Sequence, residues 1–209
     1  MRPSPALRHW LIASAPLLAV LLALVLCFGS EAGTAAWFKA FRADHPALTW
    51  TMRVVTDWTG YAFYAWFAWL LYDAFRRGDA AQKRFVLVFA LAQIVIALVL
   101  VRVLKMAIGR PRPDQEGVFH SMSAKGAYHS LPSGHTTETV GAAMSLLLRR
   151  RRLFLDLGLG GLVALLGFSR VYLGWHYPLD VFCGWMLGSV TGLAVTLFAP
   201  MVPNNKDQA

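Results

Sequence analysis

The sequence predicts an all-α fold, a bundle of six transmembrane helices with a short amphipathic helix on its outer side. Three observations predict it. Hydrophobic residues make up 57% of the 209 residues and charged residues only 15%, whereas soluble domains carry about a quarter charged. Mean hydropathy is +0.50. Six apolar segments can be marked, and Lys and Arg concentrate in alternate connections between them.

The first apolar segment, 9–29, follows Arg2 and Arg8. Its core from Trp10 to Phe28 is longer than the roughly 7–15 residues of a signal-peptide core, so an uncleaved span is expected. An outer connection, 30–57, places Trp37, Phe38 and Phe41 at helical spacing, and Pro46 breaks the pattern. This reads as an interfacial amphipathic helix followed by a turn, with an irregular loop carrying aromatic belt residues as the alternative. The second and third spans are 58–75 and 85–104, joined by RRGDAAQKR. A long outer connection, 105–134, leads to a short fourth span, 135–148. Four consecutive arginines, 149–152, separate it from the fifth, 153–173. That turn is inferred from charge, because the run holds neither Gly nor Pro. A five-residue outer link precedes the sixth span, 179–199, where Gly184, Gly188 and Gly192 form a stripe suited to close helix packing.

Six spans leave no room for a second domain, so residues 1–209 are expected to form one. The arginine-rich connections and the N-terminus fall on one side of this layout. Positive segments stay cytoplasmic, which puts both termini in the cytoplasm. The same bias absorbs most of the net charge of +9, and nucleic-acid binding is set aside. Cys27 and Cys183 both lie in apolar runs and support neither a disulfide framework nor a zinc site.

Topology alone then gathers a distinctive set on the outer face. Lys105 ends the third span, with Arg110 and Arg112 following in GRPRP. Ser133, Gly134 and His135 open the fourth, Arg170 nears the end of the fifth, and His176 and Asp180 flank the start of the sixth. Guanidinium groups fork onto phosphate oxygens, and Lys adds a point charge. PSGH at a helix start offers a hydroxyl and close backbone N–H groups, an anion-binding arrangement. His176 and Asp180 are spaced i, i+4, so the carboxylate can orient the imidazole, leaving one nitrogen as a nucleophile. His135 can protonate a leaving oxygen. Each feature alone has a plain structural reading: a snorkelling Lys, headgroup anchors, a turn, a satisfied pair. Three cations near hydrocarbon beside one carboxylate are costly without a bound anion.

These residues carry a resemblance. The sequence resembles the phosphatidic acid phosphatase type 2 superfamily of membrane lipid phosphatases, whose three motifs are matched in order. KMAIGRPRP supplies Lys105, Arg112 and Pro113; PSGH supplies Pro132, Ser133, Gly134 and His135; SRVYLGWHYPLD supplies Ser169, Arg170, His176 and Asp180. The resemblance implies a metal-independent hydrolase in a bacterial inner membrane, with its site and amphipathic helix on the periplasmic side and a membrane lipid phosphate as partner. It implies that His176 attacks phosphorus to form a phosphohistidine, that Asp180 orients it, and that His135 is the general acid. Lys105, Arg112, Ser133, Gly134 and Arg170 would hold the phosphate. No cofactor is implied. Vanadium haloperoxidases share related motifs but are soluble, which the six spans disfavour.

Candidate substrates are phosphatidic acid, phosphatidylglycerophosphate, undecaprenyl diphosphate and lipid A. A phosphotransferase using the same site and a non-catalytic phospholipid-binding or transport protein are the alternatives. Glu138, one turn past His135, invites a pair with Arg102 or Arg110, or a role in tuning His135. His120, His129, Asp114 and Glu116 raise a metal reading, but their spacing matches no metal signature.

Overall fold

The computed structural model describes residues 4–115 and 117–200, and among these it contains helices and no strand. Arg2 and Glu116 lie outside the described residues. Helix α1 spans Pro5–Phe28, α2 Glu31–Asp44, α3 Pro46–Arg77, α4 Ala80–Ile108, α5 Gly134–Arg150, α6 Leu153–Tyr172 and α7 Pro178–Phe198. Four of these, α1, α4, α6 and α7, are long and apolar enough to cross a membrane.

Local chemistry sets the boundaries. Ser4 accepts the Leu7 N–H and Ser30 the Gly33 N–H at the starts of α1 and α2. Asp79 does the same for Gln82 at the start of α4. Gly29 and Gly78 end α1 and α3 in the left-handed region. Helix α1 continues through Pro16, a kind of interruption that neighbouring helices help to accommodate in apolar surroundings. The chain turns between α5 and α6 without glycine: Arg151 itself adopts φ +45°.

One connection differs from expectation. Residues 46–57, expected in the loop, are the first turns of a 32-residue α3. Pro46 starts this helix at its first position, where a missing N–H costs nothing, and so breaks the chain before itself only. Trp37, Phe38 and Phe41, read at helical spacing, do lie on a helix, α2, where Phe38 is 4% exposed and packs edge-on against Phe168 and Tyr172.

Helix α5 touches α1, α3, α4, α6 and α7. It faces protein more than lipid, which explains why a 17-residue helix containing buried Thr136, Thr137 and Thr139 needs no high hydropathy. Its tightest neighbour is α7. A Cβ on Gly188 would lie 2.6 Å from Val140 Cβ, and one on Gly192 2.5 Å from Met144 Cβ, so the glycine stripe is where the two backbones meet. Gly161, in contrast, faces open space; Gly160 is the α6 position pressed against the Ala13 backbone of α1. Trp10 and Trp185 donate to Ser189 and Ser14, tying α1 to α7 twice within one turn of each helix. This packing brings the N-terminal ends of α5 and α7, the C-terminal ends of α4 and α6, and the loop 109–133 to one face.

Candidate active site

The loop after α4 is pinned before it reaches the site. Gly109 has φ +61°, and a side chain there would collide with the His120 backbone, so only glycine permits this turn. Arg112 N–H donates to Ala127 O, and Ser130 N–H to Arg110 O. Ser133 N–H donates to Asp180 O at 2.9 Å, tying PSGH to the first turn of α7.

Ser133 is the N-cap of α5 and is fully buried. Its hydroxyl accepts from Thr136 at 2.9 Å. The first-turn N–H groups of Gly134, His135 and Thr136 have no intrahelical partner and point out of the helix start. Lys105 Nζ comes within 3.9 Å of the position a Cβ on Gly134 would take, so the ammonium stands over these donors.

Arg170 reaches in from α6, 3% exposed. Its Nη1 donates to Thr56 Oγ1 at 3.0 Å, its guanidinium lies 4.4 Å from the Trp175 ring centroid, and its carbonyl accepts from Trp175 and His176. One side of this arginine is therefore fixed while Nε stays buried and unpartnered within the protein. Arg112 Nε is in the same condition. Burial lowers the Arg112 pKa, with Asp180 acting in the opposite direction.

His176 occupies the link between α6 and α7 and is 1% exposed, with both ring nitrogens free of hydrogen-bond partners in the protein. Burial, helped by the charges of Arg170 and Lys105 and opposed by Asp180, pushes its pKa down to about 3. The ring is thus neutral at physiological pH. Its Nδ1 lies 3.6 Å from Asp180 Oδ2, an ion-pair separation rather than a hydrogen bond. The i, i+4 spacing does not place the pair on one helical turn. His176 precedes the helix, and Asp180 sits in the first turn of α7, where its Oδ2 accepts the Tyr177 N–H at 2.8 Å.

Asp180 is held by more than the sequence motifs show. Ser130 donates to Oδ2 at 2.6 Å, and Arg110 Nη1 to Oδ1 at 2.7 Å. Arg110 Nη2 donates in turn to Glu31 Oε2 at 2.6 Å, and Glu31 Oε1 accepts the Leu179 N–H at 2.9 Å. Although burial works against it, these two carboxylates raise the Arg110 pKa. Arg42, also on α2, contacts Asp114 at 3.2 Å and donates to Tyr172 O. Helix α2 is therefore strapped over this face through both of its ends.

Of the residues singled out from sequence, Lys105, Arg112, Ser133, Gly134, His135, Arg170, His176 and Asp180 lie on this one face. Ser133, Arg170, His176 and Asp180 form a buried floor, and His135 is exposed at the rim. Ser169 is buried and donates to Leu166 O, a helix-internal bond. Glu31, Arg110 and Ser130 complete the carboxylate's support; the sequence gathered Arg110 on this face without a role, and Glu31 and Ser130 were not singled out.

Glu138 does not pair with Arg110, whose two ends are taken by Asp180 and Glu31. It borders an apolar cleft with Tyr64 and Gln93, and Arg102 is exposed. The residues raised for a metal are otherwise engaged: His129 Nε2 with Ser123 O, Asp114 with Arg42, and His120 against the Tyr128 ring. Among the described residues, no group of three or more His, Cys, Asp or Glu is close enough to hold a metal ion.

A family model described as PAP2 superfamily matches residues 83–203, more than half of the chain. An undecaprenyl-diphosphatase from Sulfolobus acidocaldarius is 40% identical over 96 residues, 46% of each protein. A lipid A 1-phosphatase from Rhizobium etli is 37% identical over 128 residues, covering 57% of this chain and 53% of that one. The matched stretch thus spans about half the length of these curated relatives. The crystal structure of a PAP2-type phosphatidylglycerolphosphate phosphatase from Bacillus subtilis superposes with a TM-score of 0.62 at 22% identity, covering 92% of this chain and 98% of that one. This last likeness shows a shared fold.

Proposed function

The chain belongs to the PAP2 superfamily, and from that premise we propose that it is a metal-independent phosphatase of membrane lipids. Its substrate is a lipid phosphomonoester or diphosphate, in the class of phosphatidic acid, phosphatidylglycerophosphate, undecaprenyl diphosphate and lipid A. The relatives named as phosphatases of lipid A and undecaprenyl diphosphate support a lipid phosphate.

The observation that carries the reading is the buried neutral His176, unpartnered at both nitrogens, facing the charges of Arg170 and Lys105. In a purely structural site these nitrogens, and the buried Nε groups of Arg112 and Arg170, would have found partners. Phosphate oxygens satisfy the guanidinium donors and leave the imidazole lone pair facing phosphorus. Lys105, Arg112 and Arg170 grip the non-bridging oxygens, and the free backbone N–H groups of the first turn, from Gly134 on, complete the cradle with the Ser133 hydroxyl. Nε2 of His176 attacks phosphorus while Asp180 stabilises the positive charge that develops on the ring through Nδ1. The P–O bond to the lipid breaks, and His135, at the rim where the leaving oxygen departs, protonates it. Water then attacks the phosphohistidine, with His135 taking its proton; the P–N bond breaks, its electron pair returns to Nε2 of His176, and inorganic phosphate leaves. The cations stabilise charge on the phosphoryl oxygens in both steps.

In this proposal residues 1–209 form one domain that spans the inner membrane six times. Helices α3 and α5 complete the set begun by the four strongly apolar ones. Arginine-rich ends and both termini face the cytoplasm, and α2 lies in the periplasmic interface beside the site.

The test is release of inorganic phosphate by the purified chain in detergent with EDTA present, using a panel of the four lipids, with and without an acceptor lipid. Release from at least one lipid, abolished in His176→Ala, is the expected result. Full activity in His176→Ala would remove the nucleophile, and activity lost on chelation and restored by a divalent ion would remove the metal-independent mechanism. Phosphate appearing on the acceptor lipid in place of water would make the enzyme a phosphotransferase.

A further inference from the structure

The opposite end of α5 from His135 carries a second feature that the phosphatase reading leaves unused. A cleft of about 410 Å³ opens there between α3, α5 and α6, with Gln82 and Phe85 of α4 also lining it. Its walls are apolar, with Phe63, Trp66 and Leu70 from α3 facing Leu155, Leu159 and Leu162 from α6. Along α3 the lining runs from Thr59 to Leu70. Those eleven residue steps, at roughly 1.5 Å each, make about 16 Å. One leaflet contributes about half of the roughly 30 Å hydrocarbon core of a bilayer. The cleft therefore has the depth of a single leaflet's chains.

Its mouth is cationic. Arg149, Arg150 and Arg152 all line it. The turn between α5 and α6 produces this grouping: Arg151 takes a left-handed backbone, turns its Nε to Leu148 O, and lets the chain double back so that Arg152 rejoins the face of Arg149 and Arg150. A residue with a Cβ adopts φ near +45° at a conformational cost, which a plain connection between two helices would avoid. The acids nearby do not neutralise three guanidinium groups. Asp79 faces Arg149, with its Oδ1 engaged by the Gln82 N–H. Asp156 is fully buried and bonded to His9 at 2.5 Å, turned toward α1. A topological bias toward positive connections accounts for the number of arginines. It does not account for an apolar slot of leaflet depth opening between three of them.

We propose that this cleft is a binding site for an anionic phospholipid of the leaflet on the arginine side. One acyl chain lies between α3 and α6, and the headgroup phosphate sits among Arg149, Arg150 and Arg152. Guanidinium groups match phosphate oxygens in fork geometry, and basic pockets between spanning helices suit anionic headgroups. The site is distinct from the one around His176, and its ligand is a resident lipid rather than a substrate.

Native mass spectrometry of the full chain in detergent, titrated with phosphatidylglycerol or phosphatidylcholine, tests it. The phosphatidylglycerol adduct is expected at roughly tenfold lower lipid concentration than the phosphatidylcholine adduct. Replacing Arg149, Arg150 and Arg152 together with Ala is expected to erase that preference. Leu159→Trp, which fills the slot and leaves every charge in place, is expected to lose the tight adduct as well, so a misfolded arginine variant does not decide the matter. Arg112→Ala is expected to keep it. Equal binding of both lipids, a preference surviving the triple variant or Leu159→Trp, or loss of the adduct in Arg112→Ala alone would overturn the proposal. None of these outcomes bears on phosphate release by His176.

Discussion

Arg110 donates one Nη to Asp180 Oδ1 at 2.7 Å and the other to Glu31 Oε2 at 2.6 Å. The carboxylate that faces His176 is therefore held from behind by a guanidinium, and that guanidinium is held by α2. Asp180 is fully buried, so each lost hydrogen bond leaves a desolvated charge.

Arg110 is expected to be a positioning residue. Hydrogen bonds to charged groups contribute about 1.5–3 kcal/mol, so Arg110→Ala should lower kcat by roughly 10- to 100-fold. The proposed phosphate contacts rest on other cations, so KM should change little. Glu31→Gln keeps an acceptor for the Leu179 N–H and should show a smaller loss of the same kind, and Arg110→Lys an intermediate one. Steady-state kinetics on a lipid phosphate check this. A rise in KM at constant kcat would mean that Arg110 binds phosphate instead.

The pH dependence follows from His176. Its pKa falls from 6.5 to about 3 in the folded protein, chiefly through burial. In the proposed mechanism the neutral ring is the nucleophile, so His176 should impose no fall in kcat/KM between pH 5 and 8 and should contribute one only as the pH approaches about 3. Stability should behave differently. Between about 3 and 6.5 the unfolded imidazole takes up a proton that the folded one refuses, so stability drops as pH falls through that window and is fully present above it. Thermal unfolding in detergent from pH 4 to 7 should show a shallower acid loss for His176→Asn than for the unaltered chain. Parallel curves would mean that the buried ring titrates normally.

His135 and His176 should separate by leaving group. Loss of a general acid costs about 100- to 10,000-fold when the leaving group is an alkoxide. A p-nitrophenolate departs without protonation. His135→Ala should therefore lose that factor on a lipid phosphate but phosphorylate rapidly with p-nitrophenyl phosphate. A burst of one equivalent of nitrophenol, followed by slow turnover as unassisted water attacks the phosphohistidine, is the expected trace. His176→Ala should give no burst. Equal losses on both substrates with His135→Ala would assign that ring to binding.

How far the sequence speaks for itself depends on the distance over which a contact acts. Lys105, Arg112, PSGH and the His176–Asp180 pair were legible because span topology sends each to the same face without knowledge of packing. The Glu31–Arg110 pair was not, because its partners are 79 residues apart and nothing in either local pattern marks the other. Arg110 was visible as a cation, but nothing in its local pattern marked it as the partner of two carboxylates. Pro46 read as a break because proline ends a helix from inside, yet it begins one equally well. The short α5 looked marginal by hydropathy, since sequence does not reveal that its neighbours are helices rather than lipid. The glycine stripe of α7 was readable from spacing alone, whereas the contrast between Gly160 and Gly161 required the position of α1.

That contrast and the stripe supply opposite expectations for one substitution. A Cβ on Gly184 would lie 2.6 Å from Ser133 O and 2.9 Å from Thr136 Cβ. The neighbour cannot yield as a flexible side chain would, because the carbonyl belongs to the N-cap of α5 and the Ser133 N–H is bonded to Asp180. Gly184→Ala should therefore cost about 1–3 kcal/mol of stability through overpacking and should also displace the first-turn donors of α5, raising KM for lipid phosphate. Gly161 has nothing within 4 Å of its Cβ position and lies inside a helix, where alanine is favoured over glycine by about 0.5–1 kcal/mol. Gly161→Ala should be neutral or stabilising with unchanged kinetics. Unfolding midpoints in detergent together with KM for both variants check the pair, and a Gly184→Ala protein with unaltered stability and KM would show that α5 and α7 do not meet as closely as the glycines allow.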